Sequence, residues 1–250
     1  MNSKPKNNNF LFLYLFLLIL AGTLSLYLAN ADPQGATISG TPSVDSGPNK
    51  TPGSRTDAGG KIITLTLNLQ QQDTAWKAYV GNVTGTYVLQ NANNDSIYQW
   101  PTSASITGEV YISRNSSLNF SSGAITCASN AQMVTEQSVF GMSASDTDNV
   151  NNTFNSTNHT SFNVGTNPIA QNACRAIALW VNNTLQAPSA SAVFQEVALF
   201  DTHTLVYASL INKGNFGFDN TTRYDFQAII AENRTTPTGT PYYFYLELGP

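Results

Sequence analysis

Short apolar runs of period two, separated by glycine and asparagine turns, constrain this chain more than any other feature. They concentrate in residues 76–114, WKAYVGNVTGTYVLQNANNDSIYQWPTSASITGEVYISR, a block with two tryptophans and four tyrosines. Trp76, Ala78 and Val80 alternate with Lys77 and Tyr79, and residues 81–85 can turn the chain into residues 86–90, which predicts a hairpin. Residues 91–94 read as a polar turn, residues 97–100 as a short strand stopped by Pro101, and residues 109–113 as a strand with Val110 and Ile112 on one face. Upstream, Ile63, Leu65, Leu67 and Leu69 alternate with Thr64, Thr66 and Asn68, a half-buried strand that opens the folded part.

Downstream the same grammar continues. Residues 174–182 are apolar on both faces, with Ile177, Leu179 and Val181 opposite Ala176, Ala178 and Trp180, so a central strand is expected. Residues 193–200 and 205–211 flank Asp201-Thr202-His203-Thr204, a hairpin turn. Residues 224–231 and 242–248 add two more strands. One helix is expected over residues 131–140, capped by Asn130 and ended by Gly141. Residues 143–167 are polar and read as a long surface loop. About ten short strands with turn-rich connections predict an all-β domain, an antiparallel β-sandwich.

The N-terminus carries a different message. Lys4 and Lys6 precede an apolar run over residues 10–29 that is broken only by Gly22, Thr23 and Ser25. About 20 helical residues at 1.5 Å each cover about 30 Å, the thickness of a hydrocarbon layer. The two lysines keep that end in the cytoplasm and send the remainder outside. Ala29-Asn30-Ala31 has the small-x-small form of a signal-peptidase site, so residues 1–31 are either a cleaved signal peptide or a retained transmembrane anchor. Residues 32–60, rich in Pro, Gly, Ser and Thr, read as a disordered tether spanning roughly 30 Å on average. Residues 61–250 form the ectodomain, placed on the extracellular face of the membrane or secreted.

Composition agrees with export. Charged residues make up only 10% of the chain and the net charge is −4, with basic residues scattered. No stripe of Lys and Arg is available for a phosphate backbone, so nucleic acid is not an expected partner. Cys127 and Cys174 fit a single structural disulfide in an oxidising compartment, the alternative being two buried thiols. Closing that loop removes denatured-state entropy worth roughly 4 kcal/mol in the chain-entropy model. No CxxC pair points to redox exchange or zinc.

Asn-x-Ser/Thr sequons begin at Asn49, Asn82, Asn94, Asn115, Asn119, Asn151, Asn155, Asn158, Asn182, Asn220 and Asn233, and their crowding at residues 151–158 suits glycosylation of an exposed segment. Residues 146–151, DTDNVN, place oxygen ligands at alternate positions but put Val150 fifth and lack the glycine of a calcium loop. No metal or cofactor is expected. His159 and His203 read as solvent-facing polar residues. Glu109, Glu196, Asp201, Asp225 and Glu232 are the carboxylates that a two-carboxylate hydrolase would draw on, and spacing assigns none of them a catalytic role. Tyr243, Tyr245 and Glu247 should share the face of the last strand opposite Tyr242, Phe244, Leu246 and Leu248, forming a possible binding face unless a loop covers it.

The succession WKAYVGNVTG, SIYQW, TGEVYISR, Cys127, TRYDFQAII and TPYYFYLEL resembles uncharacterised secreted or membrane-anchored surface proteins of small-genome archaea. The resemblance covers most of residues 76–248 and implies an extracellular archaeal protein, with no catalytic residues to carry over. The expectation is an extracellular surface protein with a structural or adhesive display role, open to self-association. A glycan- or protein-binding module is the first alternative and a carboxylate-based hydrolase the second.

Overall fold

The structure, a computed structural model, describes residues 33–39, 54–67, 73–101, 106–121, 123–233 and 239–249; the expected N-terminal helix and Asn49 lie outside them. The elements in chain order are β1 (Gln34–Gly35), β2 (Trp76–Gly81), β3 (Thr86–Gln90), β4 (Ser96–Pro101), β5 (Gly108–Ser113), β6 (Thr126–Cys127), α1 (Asn130–Val139) and α2 (Val150–Thr153). They continue with β7 (Phe162–Val164), β8 (Asn167–Ile169), β9 (Arg175–Ala178), β10 (Trp180–Val181), β11 (Thr184–Leu185), β12 (Gln195–Phe200), β13 (Leu205–Leu210), β14 (Asn215–Phe216), β15 (Arg223–Tyr224), β16 (Phe226–Ala231) and β17 (Tyr243–Leu248). The chain is mostly antiparallel β-structure with few helices, as expected.

A seven-stranded sheet runs β1-β17-β5-β13-β12, with β6 and β9 sharing the far edge of β12. The β12–β13 hairpin sits at its centre, closed by the expected turn at Asp201. The Asp201 carboxylate accepts hydrogen bonds from the His203 and Thr204 amides at 2.9 and 2.7 Å, and Thr202 takes φ +80°. Side chains alternate across the sheet, and both of its faces are apolar. Val110, Ile112, Ala198, Leu205 and Tyr207 pack on one side against α1, α2 and the β2–β16 pair. Tyr111, Val197, Leu199, Val206 and Tyr245 pack on the other side against Phe120, Ile125 and the β7–β8 hairpin. The bond between Cys127 and Cys174 joins β6 to the residue before β9, the two segments that share the β12 edge, across 4.9 Å between Cα atoms.

Several sequence expectations need correction. Residues 61–67 form no strand and are mostly exposed, with no partner strand beside them among the described residues. β2 does not turn back on β3. It pairs with β16, and β3 pairs with β4 around the turn after Gln90. Residues 34–35, expected in the tether, hydrogen-bond along β17. Residues 143–167 are not a surface loop: Val150, Phe154, Phe162 and Val164 are buried there, spaced too widely to show a period. The expected central strand at residues 174–182 is an edge strand. It leaves the sheet after Ala178, and Asn182 and Asn183, both at positive φ, turn β10 into β11. Consecutive left-handed residues are what such a tight hairpin requires.

The helix is present, but Ser129 and not Asn130 caps it, accepting from the Gln132 amide while the Gln132 side chain accepts from the Ser129 amide. Gly141 follows at φ +68°. From α1, Glu136 meets Arg114 in a two-pronged ion pair at 3.0 and 2.7 Å, and the guanidinium lies over the Phe140 ring. The Glu136 side chain is only 4% exposed. Removing its partner leaves a buried carboxylate without compensation, a change that costs roughly 3 kcal/mol or more. Arg114→Met should therefore shift urea unfolding by about that much, and Glu136→Met in the same chain should recover most of it.

Candidate binding surface

The register separates the candidate carboxylates Glu109 and Glu196. Glu196 pairs with Ser209, which pairs with Val110, so Glu196 shares the face of Val110 and lies across the sheet from Glu109. Its Oε2 accepts the Ile229 amide at 2.9 Å, while Oε1 is buried without a partner. Burial pushes its pKa well above the usual carboxylate range. Asp225 accepts the Val83 and Gly214 amides, both at 2.9 Å. Glu232 binds Lys77 at 2.6 Å. Burial alone would raise its pKa, but the Lys77 ammonium, the Thr240 hydroxyl and the neighbouring amides bring it down to about 2. Each of these groups organises backbone within the fold.

Glu109 does have a carboxylate neighbour, which the sequence did not suggest. Glu247 stands opposite it on β17, and both are buried. Glu247 Oε2 accepts from the Tyr111 hydroxyl at 2.6 Å and from the Gly165 amide at 3.0 Å, which ties β17 to the β7–β8 hairpin. Burial, and then the charge of Glu247, push the Glu109 pKa well up. Two opposed carboxylates in a dry site cannot both ionise cheaply. A groove of about 440 Å³ beside β1, lined by neutral residues such as Ala36, Thr37, Tyr87 and Leu246, does not include the pair.

The expected aromatic face on β17 is covered. Tyr245 and Glu247 are buried, with Phe120 packed edge-on against Tyr245, and Tyr243 alone stays exposed. His159 is also buried, against expectation: its Nε2 accepts the Cys174 amide at 2.9 Å and its Nδ1 meets the Thr160 carbonyl at 2.6 Å. It holds the chain beside the disulfide. His203 lies exposed in its turn, against the Thr202 hydroxyl. The DTDNVN stretch is a helix entry, with Asn149 capping α2, and no group of three or more metal-ligating side chains gathers among the described residues. No helix of the described residues is long and apolar enough to cross a membrane.

Among the sequons, Asn82, Asn94, Asn119, Asn155, Asn158, Asn182 and Asn220 are exposed. Asn115 differs. Its side-chain amide donates to Asp201 at 2.7 Å, and a sugar on that nitrogen would break the contact. Asn151 and Asn233 are half-buried.

What the fold leaves outside is an aromatic hairpin. In β3–β4 the register pairs Tyr87 with Trp100 and Leu89 with Tyr98, so four large side chains share one face. The Tyr87 hydroxyl anchors the base by donating to the Leu248 carbonyl at 2.8 Å. Asn91 shapes the tip by accepting the amides of Asn93 and Asp95. Between base and tip, Ile97 is 82%, Tyr98 57% and Trp100 47% exposed, and the Tyr98 and Trp100 rings meet edge to face at 4.9 Å. Trp180 on β10 and Phe216 on β14 are also exposed, and the Arg223 guanidinium lies 3.9 Å over the Phe216 ring. Sequence reasoning read residues 97–100 only as a short strand and put Trp180 in a central one, so neither exposed set was expected. The available counter-signal was Ile97, Tyr98 and Trp100 spread over both faces of a strand that Pro101 ends.

The Glu109 shift has a definite sign. A carboxyl whose folded pKa lies above its value of 4.5 contributes stability below that value and loses it as pH rises through the folded pKa. The unfolding free energy should fall as pH rises above about 4.5, by at most about 1.4 kcal/mol per pH unit for each such proton. Glu109→Gln should flatten part of that slope in denaturant titrations, and an unchanged slope would remove Glu109 as its source. No protein-family model, curated protein or solved structure matches this chain.

Proposed function

We propose that this chain is an extracellular surface protein with a structural or adhesive display role, whose β domain meets its partner through the β3–β4 hairpin. The observation that carries the reading is the exposed set Leu89, Ile97, Tyr98 and Trp100 on a hairpin that touches the body mainly at its base. A two-stranded hairpin with no cover is only marginally stable in water, and exposed aromatic clusters are the usual centres of binding energy. The hairpin's one charge is Asp95 at the tip, so the face suits an uncharged partner, an apolar protein surface or the carbon face of a neutral sugar.

Export supports the same reading. The Cys127–Cys174 bond belongs to an oxidising compartment, and the N-terminal apolar run behind Lys4 and Lys6 would deliver the domain there as a cleaved signal or an anchor. The seven-stranded sheet with the β2–β16 layer against one face is read as the expected sandwich, and the exposed sequons as its glycosylated rim. The hydrolase alternative is weakened by Glu109 and Glu196 lying on opposite faces.

Tyr98→Ser with Trp100→Ser tests the proposal on the full chain. Retention on source cells, measured by sedimentation and by binding to their neutral polysaccharide, should drop by about tenfold or more, the loss of roughly 1.4 kcal/mol or more of binding energy. Because both side chains stand in water, the melting temperature should stay within about 2 °C. Undiminished retention would sink the hairpin as the contact.

A further inference from the structure

Two parts of the chain are left unpaired, and they fit each other. Residues 61–67, KIITLTL, have no Gly or Pro, one charge at Lys61, and alternate Ile63, Leu65 and Leu67 with Thr64 and Thr66. This is the composition of a segment that joins sheets. Among the described residues it pairs with no strand, and Ile62 is 103% and Leu67 87% exposed. A chain with so few charges has little else to keep such a segment from finding a strand edge.

The second part is the outer edge of β2. On β16 the Ile229 amide donates to Glu196, and the Gln227 carbonyl accepts the Ser209 hydroxyl at 2.7 Å, so both residues turn their backbone groups away from β2. In an antiparallel pair two opposite residues either both face each other with their backbone groups or both face away. Ala78 and Val80, the partners of Ile229 and Gln227, therefore aim their amides and carbonyls outward, where no hydrogen bond meets them among the described residues. The long edges of the central sheet are partly covered. β1 covers β17, with the Ala36 amide donating to Phe244, and Ser156 bridges to Ala176 on β9. The β3–β4 hairpin has open edges, but its exposed sides offer an added strand little to bury against. β2 is different because its neighbour β16 is seated on the core through Ala228 and Ile230.

We propose that residues 61–67 of one chain add as a strand to the outer edge of β2 in a second copy. In its own chain the segment stands exposed rather than folded onto β2, so its partner is another molecule. Each copy has one donor and one acceptor, and a head-to-tail contact of this kind propagates into a ring or filament instead of stopping at a dimer. The inference rests on the structural arm of the display reading and names its partner, whatever the Tyr98 and Trp100 hairpin binds.

The test uses the full-length chain in two differently tagged forms, one with Leu65→Cys or Thr66→Cys to sample both registers, the other with Ala78→Cys. The native cysteines are bonded to each other and leave no competing thiol. After mixing and oxidation, disulfides between the two tags should outnumber those within either tag. No such preference in either register would overturn the proposal, as would closure of Leu65→Cys/Ala78→Cys within a single monomer. Independently, Leu65→Lys/Leu67→Lys should raise the concentration of half-assembly in light scattering by about tenfold with the near-ultraviolet circular dichroism unchanged; undisturbed assembly would also overturn it. Tyr98→Ser/Trp100→Ser should assemble like the parent, and if assembly is lost in that variant the contact runs through the hairpin instead.

Discussion

The central sheet has no wet face, and the rest of the chain is arranged by that fact. All six residues of β13 are buried, as are five of the six in each of β12 and β5. A sheet buried on both sides needs a cover on each. One side receives α1, α2 and the β2–β16 pair, and the other receives the β7–β8 hairpin and the segment around Phe120. The covering pieces are short and irregular because each has only to present a few apolar side chains and satisfy its own backbone.

Dry faces make every polar group on them consequential. On one face Glu196 and Ser209 rise from the sheet to hold the backbone edge of β16, and so fix how the second layer sits. On the other, Tyr111 and Glu247 reach the amide of Gly165 and the carbonyl of Asn163, and fix the β7–β8 hairpin. These side chains position the covers, whereas apolar burial supplies the driving force. The disulfide and His159 do the same at the β12 edge, with a covalent bond and a pair of hydrogen bonds.

The elements legible in the sequence were those whose register is local. The β12–β13 hairpin could be read from two apolar runs around Asp201-Thr202-His203-Thr204, and the strand at residues 109–113 from Val110 and Ile112. Helix α1 was visible, with its cap one residue away from the expected Asn130. What failed was long-range. Trp76 and Val80 carry the same alternation whether β2 pairs with nearby β3 or with distant β16, and period alone does not name a partner. The exposure of the β3–β4 hairpin was not legible for a related reason. Tyr98 and Trp100 look like core residues until the sheet that would have buried them turns out to be completed by other strands. The Glu109–Glu247 pair was invisible because it depends on the register of β5 against β17.

The first and last described strands, β1 and β17, lie side by side, and β17 separates β1 from β5. Sheet closure therefore waits for β17. During synthesis β5 and β13 can pair while the other edge of β5 stays bare until β17 has emerged, and β2 waits for β16, which precedes β17 in the chain. High contact order of this kind makes folding slow and leaves apolar edges open in the interval. For such a chain the order in which segments are synthesised decides which edges meet first, and a chain without β17 would leave β5 with a bare edge.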